Sequence, residues 1–267
     1  MMQKVTKFTG LMLTAGITAS LLSACNPAQA TIEITEAVTE PIVQEIAINQ
    51  EHFPDEAFRV YVSATFDTNN DGVLDQGEID EVTEIIVPEA GISSLQGLEY
   101  FTELTRLECN SNSLTQLNLS HNEKLQSVLC SGNQLTELDA RACPELKYLV
   151  CNNNKLTSLD ISGNQKLLSL QCVNNQLKAL DISNNQELDM LTCELNSITE
   201  LNLSANPHIL DYLQEGSEVH DGVLYTAYRS APLDDGSDGV RPCTFECDAE
   251  VSLITEPGSG GAEKVMD

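Results

Sequence analysis

Twelve residues, DTNNDGVLDQGE at positions 67 to 78, carry oxygen donors at a spacing that suits a hard cation. Asp67, Asn69 and Asp71 offer side-chain oxygens at the first, third and fifth places, and Val73 offers its main-chain carbonyl at the seventh. Asp75 stands at the ninth place, and Glu78 at the twelfth can close the set with two oxygens. Calcium takes about six to eight such oxygens, and Gly72 permits the bend that aims them inward. Four carboxylates within one short loop repel each other unless a cation is present, so calcium is the expected cofactor.

Cysteine is the second residue type with chemical potential. Cys109, Cys130, Cys151, Cys172 and Cys193 recur every 21 residues. Identical residues one strand apart do not make a tetrahedral metal site, so they are expected to act as small buried hydrophobes. Cys243 and Cys247 either bond to each other or stay free, and Cys143 has no evident partner in the pattern. The sequence contains no nucleophile-elbow, zinc-protease, phosphate-loop or dinucleotide pattern. No motif surrounds His52, His121, His208 or His220. A catalytic role is therefore not expected. The remaining catalytic alternatives are a glycosidase-like carboxylate pair among the abundant acids and an unrecognised site in residues 215–267.

The elements that would position these groups follow from periodicity. Ahead of the oxygen-rich loop, Phe58, Val62 and Phe66 fall four residues apart, predicting a helix within 54–66, and 76–82 reads as a short exit helix. From Leu104 onward one frame recurs without gaps. Leu104, Leu125, Leu146, Leu167 and Leu188 open its five copies, Leu107, Val128, Leu149, Leu170 and Leu191 follow three residues on, and the cysteine row comes two further. Each copy then places an asparagine at 112, 133, 154, 175 or 196, and a second asparagine row at 122, 164, 185 and 206 is broken only by Cys143. Such a frame predicts coils that bury their apolar rows against one another, with a short strand at each Leu-x-Cys and asparagine amides satisfying the backbone at the turns.

The motif LxxLxCxxNxL resembles the leucine-rich-repeat family over residues 82 to about 214, with a variant first copy of 22 residues at 82–103. The resemblance implies a right-handed solenoid with a parallel β-sheet on one face. Within the first copy, ISSLQGLEYFTEL looks like the repeat of the internalins, bacterial surface proteins that bind host receptors. Residues 67–78 are similar to the EF-hand loop. Sensor EF-hands act as pairs, and dockerins likewise use two loops, whereas here there is a single good loop; DDGSDG at 234–239 breaks the pattern and reads as a turn. A small α-helical cap stiffened by calcium is the expectation, and internalins also carry an EF-hand-like cap before their repeats. At the other end, Lys4 and Lys7, an apolar run from Leu11 to Leu22, and then Leu-Ser-Ala-Cys resemble a lipoprotein signal with its lipobox. That resemblance implies cleavage before Cys25 and acylation of its side chain.

The resulting expectation is a leader at 1–24, a lipidated tether at 25–50 with room for a short strand, a cap at 51–81, repeats at 82–214, and a C-terminal cap or tail at 215–267 whose last dozen residues are expected to be disordered. The chain holds 41 acidic against 13 basic side chains, two of the latter in the leader. Nucleic acid is thereby disfavoured as a partner, and membrane contact is expected through the lipid alone. Residues flanking the inward Leu and Cys point out of the sheet, where Leu129, Tyr148, Val150, Val173 and Met190 would gather a modest apolar patch. A protein or glycan is expected to bind there, on an exported protein of the bacterial cell envelope. Assembly with neighbouring envelope proteins is the structural alternative.

Overall fold

The 21-residue frame folds as stacked coils whose strands lie side by side in register. A computed structural model describes residues 45–215, 217–220, 223–226, 229–232, 240–243, 245–248 and 250–256. The leader, Cys25, most of the tether, the turn at 234–239 and the last eleven residues, 257–267, lie outside the described residues.

The described chain starts with strand β1 (Ile46–Ala47), which pairs antiparallel with β2 (Val73–Leu74). The tether, whose sequence leaves room for a short strand, thus contributes one at Ile46–Ala47. Helix α1 (Glu56–Thr65) lies between them because its apolar spacing buries Phe58 and Val62 on one face, while the Asp55 side chain caps it by accepting from the Phe58 N–H at 3.1 Å. Helix α2 (Gln76–Asp80) is one turn long and carries a reciprocal cap between Asp75 and Glu78. Asp55 also joins this region to the first coil. Its second oxygen accepts from the Ser93 N–H at 2.8 Å, the Ser93 hydroxyl at 2.7 Å and the Ser94 N–H at 3.3 Å. Gly97, at φ 104°, lets the Phe53 ring close over the same junction; a Cβ there would lie 2.3 Å from Phe53 Cδ1.

Strands β3 (Glu84–Ile86), β4 (Arg106–Glu108), β5 (Ser127–Leu129), β6 (Tyr148–Val150), β7 (Ser169–Gln171) and β8 (Met190–Thr192) pair in parallel. Their central residues Ile85, Leu107, Val128, Leu149, Leu170 and Leu191 stand opposite one another and are fully buried. Each contributes about 2 kcal/mol by leaving water, and none could do so in an isolated coil. Each coil from β4 to β8 turns through one left-handed residue just after its cysteine: Ser111, Gly132, Asn153, Asn174 and Leu195, with φ between 53° and 67°.

Beyond β9 (Glu200–Asn202), the chain forms helix α3 (Pro207–Glu215), the hairpin β10 (Ser217–His220) with β11 (Val223–Thr226), and the hairpin β12 (Arg229–Pro232) with β13 (Val240–Cys243). It then returns to the solenoid. Strand β14 (Phe245–Asp248) pairs parallel with β8, setting Phe245 opposite Leu191, and β15 (Ser252–Ile254) pairs parallel with β9. Phe245-Glu246-Cys247 therefore continues the Leu-x-Cys pattern as a further coil, reached only after the excursion through α3 and the two hairpins.

The asparagine rows do the backbone work expected of them. Asn154 donates its amide to the carbonyls of Cys130 and Cys151, each at 3.1 Å, and accepts from the Leu135 N–H at 3.0 Å. The same set recurs at Asn133 and Asn175. In the variant first coil, where Ala90 takes the asparagine's place, Asn112 of the next coil reaches back to accept from the Ala90 and Ile92 N–H groups. The second row is fully buried, with Asn164 donating to the Ala140 and Cys143 carbonyls at 2.9 and 2.8 Å. Cys143 occupies the gap in that row and directs its thiol to the Leu119 and Asn122 carbonyls at 3.8 and 3.6 Å, a weaker version of the same contact.

Candidate functional site

Three groups of residues could carry function: the oxygen-rich loop, the cysteine row and the outer face of the sheet. In the loop, Asp67 Oδ1 accepts from the Asp71 N–H and Oδ2 from the Gly72 N–H, both at 3.1 Å. Asn69 Oδ1 accepts from Asp71 N–H at 2.8 Å, and Asp71 Oδ1 from Val73 N–H at 3.0 Å. Glu78 reaches back across the loop: its Oε1 accepts from the Thr68 N–H and hydroxyl, both at 2.8 Å, and its Oε2 from the Asp75 N–H at 3.2 Å. Burial raises the Glu78 pKa, but these hydrogen bonds outweigh it and hold the carboxyl below the usual range. Asn70 and Gly72 adopt the left-handed backbone that makes the bend, and the Val73 strand pairing with β1 pins its far side. As placed, no three His, Cys, Asp or Glu side chains among the described residues form a metal-holding group. Asn69 and the Val73 carbonyl are oxygen donors that a calcium shell would also use, while the Asp67 and Glu78 oxygens here accept from protein N–H and hydroxyl groups.

The cysteine row is core. Cys109, Cys130, Cys143, Cys151, Cys172, Cys193 and Cys247 are all free thiols and all buried. Cys247, left open in sequence between bridging Cys243 and staying free, extends the row beside Cys193; the side chain of Cys243 lies outside what is described. Burial pushes Cys130 and Cys247 up to about 12 and Cys143 to about 11, so these thiols do not supply a thiolate at neutral pH.

On the sheet face the structure brings together four of the five predicted patch residues. Leu129, Tyr148, Val150 and Met190 line a groove of 280 Å³ with Arg106, Ser127, Leu168, Ser169 and Gln171. All five patch residues are half-buried rather than freely exposed, and Val173 stands outside the groove, one outward row further along. Sequence order alone could not place Leu168, which sits just before β7. Arg106 pairs with Glu108 at one end. A larger recess of 490 Å³ lies roughly half a coil away, around Arg141, Asp139 and Asp160. It is more polar, and Arg141 holds Asp139 down to about 2 by hydrogen bonding and charge, so its charges already answer one another. The smaller groove is the better candidate because its apolar lining serves no fold-internal packing that the buried rows do not already provide.

The end of the sheet face near β8 and β14 was not legible in sequence. There Glu194 is partly buried, its Oε2 has no hydrogen-bond partner among the described residues, and burial raises its pKa, helped by Glu246 and Asp248. Asp248 meanwhile accepts from the Leu195 N–H at 2.9 Å and the Asn196 N–H at 3.3 Å.

The stacked parallel sheet with its Leu, Cys and Asn rows is a β-solenoid consistent with leucine-rich repeats, and the family model "Leucine Rich repeats (2 copies)" matches residues 123–164. Among particular proteins, the chain is 37% identical over 70 residues to Internalin J of Listeria monocytogenes serotype 4b (strain F2365), which is 26% of this chain and 8% of that protein. The solved functional domain of InlJ from Listeria monocytogenes, described as including a cysteine ladder, superposes with TM-score 0.51 at 32% identity, over 62% of this chain and 41% of that one. An internalin, InlF, from L. monocytogenes strain 4b F2365 superposes with TM-score 0.52 at 26% identity, over 61% and 53%. The chain thus carries leucine-rich repeats with internalin-like relatives and spans less than two thirds of their length. Among the described residues no helix is long and apolar enough to cross a membrane.

Proposed function

We propose that this chain is a binding protein of the bacterial cell surface that holds a protein or glycan partner on the outer face of its repeat sheet. The apolar groove around Leu129, Tyr148, Val150 and Met190 carries this reading, with Val173 one outward row beyond it as a further contact for the partner. The likeness to internalins supports a protein partner over a glycan. In this reading Cys25 is acylated after the leader is removed, which anchors the chain without a spanning helix. Asp67, Asn69, Asp71, the Val73 carbonyl, Asp75 and Glu78 would hold calcium. The ion would supply charge neutralisation there and stiffen the cap over the first coil.

The test is display of the full chain on cells probed with protein and glycan arrays, with and without calcium. Tyr148→Glu and Val150→Glu are expected to abolish retention of array features that wild type binds, with an unchanged melting curve. Retention unchanged by both substitutions overturns the placement on the sheet.

A further inference from the structure

The groove does not stand alone on the sheet face. Its rows continue onto β14, where they carry carboxylates before the sheet passes on to β11: Glu246 follows Thr192 in the row of Leu129 and Val150, while Asp248 follows Glu194 in the row of Val173. Glu194 keeps a buried Oε2 with no hydrogen-bond partner among the described residues, and the charges of the two other carboxylates act on it. A buried acceptor left unmatched has lost its water without gaining a donor, so the site favours a donor brought from outside. Beside it, Leu195 is 59% exposed at φ 57°. The equivalent positions hold Asn153 and Asn174, which suit that backbone and bond to each other at 2.8 Å. A leucine there gains nothing for the fold, being both strained and open to solvent. At the opposite end Arg106 already answers Glu108, so the two ends differ.

Distances follow from the strand spacing. From Val150 on β6 to Glu194 beyond β8 is two strand steps across and one row along, roughly 12 Å. An extended segment covers that in three to four residues.

Resting on the proposed sheet-face site, we infer that the occupant is an extended protein segment. It seats an apolar side chain between Leu129 and Val150 and places a lysine or arginine three or four residues away against Glu194, Glu246 and Asp248. The strongly acidic balance of the chain, 41 acidic against 13 basic side chains, favours such a basic segment at long range. The cation fills the open Glu194 acceptor while its alkyl stem crosses Leu195.

Fluorescein-labelled peptides with one fixed leucine, and lysine, glutamine or glutamate placed two to six residues on, test this by anisotropy against the full chain. The lysine peptides with spacing three and four are expected to bind about tenfold tighter than their glutamine counterparts, and the glutamate peptides weaker still. Glu194→Gln should remove the lysine advantage while leaving glutamine peptides unchanged, and Val150→Glu should weaken all of them. If lysine and glutamine peptides bind alike but Val150→Glu still weakens them, the cationic contact is wrong and the groove reading stands. If none binds, or binding ignores Val150→Glu, the segment reading and its placement fall. The glutamate peptides report on the charge preference without any change to the protein.

Discussion

Asn154 shows what a single residue does in this fold. Its amide serves two carbonyls in adjacent coils, and its oxygen takes the N–H of Leu135, so one side chain closes three otherwise open backbone groups. Asn154→Ala should therefore lower stability by about 2 to 4 kcal/mol, read as a shift in the urea midpoint. Asp181→Ala provides the contrast. Asp181 also bonds a backbone N–H, that of Ser183 at 3.0 Å, but on the exposed side where water can replace it, and its loss should cost under about 1 kcal/mol. The inward residues were legible in sequence because position alone forces their role: every 21 residues the same side chain meets the same neighbour. Cys143 was not, because its role depends on what the missing asparagine would have done. Glu194 was hidden for another reason, since the carboxylates whose charges act on it come from more than fifty residues later in the chain.

Among the elements, the junction of α1 with the first coil is the one whose strength should depend on pH. Asp55 caps α1 and holds Ser93 and Ser94; burial alone would raise its pKa, yet the hydrogen bonds to Ser93, Phe58 and Ser94 win and lower it. A carboxyl with a folded pKa below its unfolded value of 3.8 adds stability that is full above that value and lost as the pH falls through the folded one. The melting temperature of Asp55→Ala should accordingly lie below wild type at pH 7, with the gap narrowing as the pH drops below 3.8. A gap that stays constant with pH would mean that the helix cap, not the ionised carboxylate, makes the contribution. The helices flanking the loop were legible to within a few residues, because Phe58 and Val62 mark a buried face. β1 was foreseen only as room for a strand, since two residues carry too little pattern to fix a pairing.

At the scale of the whole molecule the solenoid is held from both ends, and the C-terminal coil is the part that sequence periodicity missed. Phe245-Glu246-Cys247 has the Leu-x-Cys form, but the excursion through α3 and two hairpins removes it from the 21-residue frame. In a stack where each coil contacts only its neighbours, loosening the last coil should expose the next and leave distant coils closed. Phe245 is fully buried against β8, and its removal in Phe245→Ala should weaken that coil by about 3 to 5 kcal/mol. In wild type, Cys193 and Cys247 are buried and their thiols held high, so iodoacetamide should modify neither while the chain is folded. In Phe245→Ala, peptide-mapped mass spectrometry should find Cys247 and Cys193 modified first, with Cys109, Cys130 and Cys151 still protected. Simultaneous modification of the whole row would instead show that the coils open as one cooperative unit. The C-terminal coil would then be part of a single folding transition rather than a separable clasp on β8.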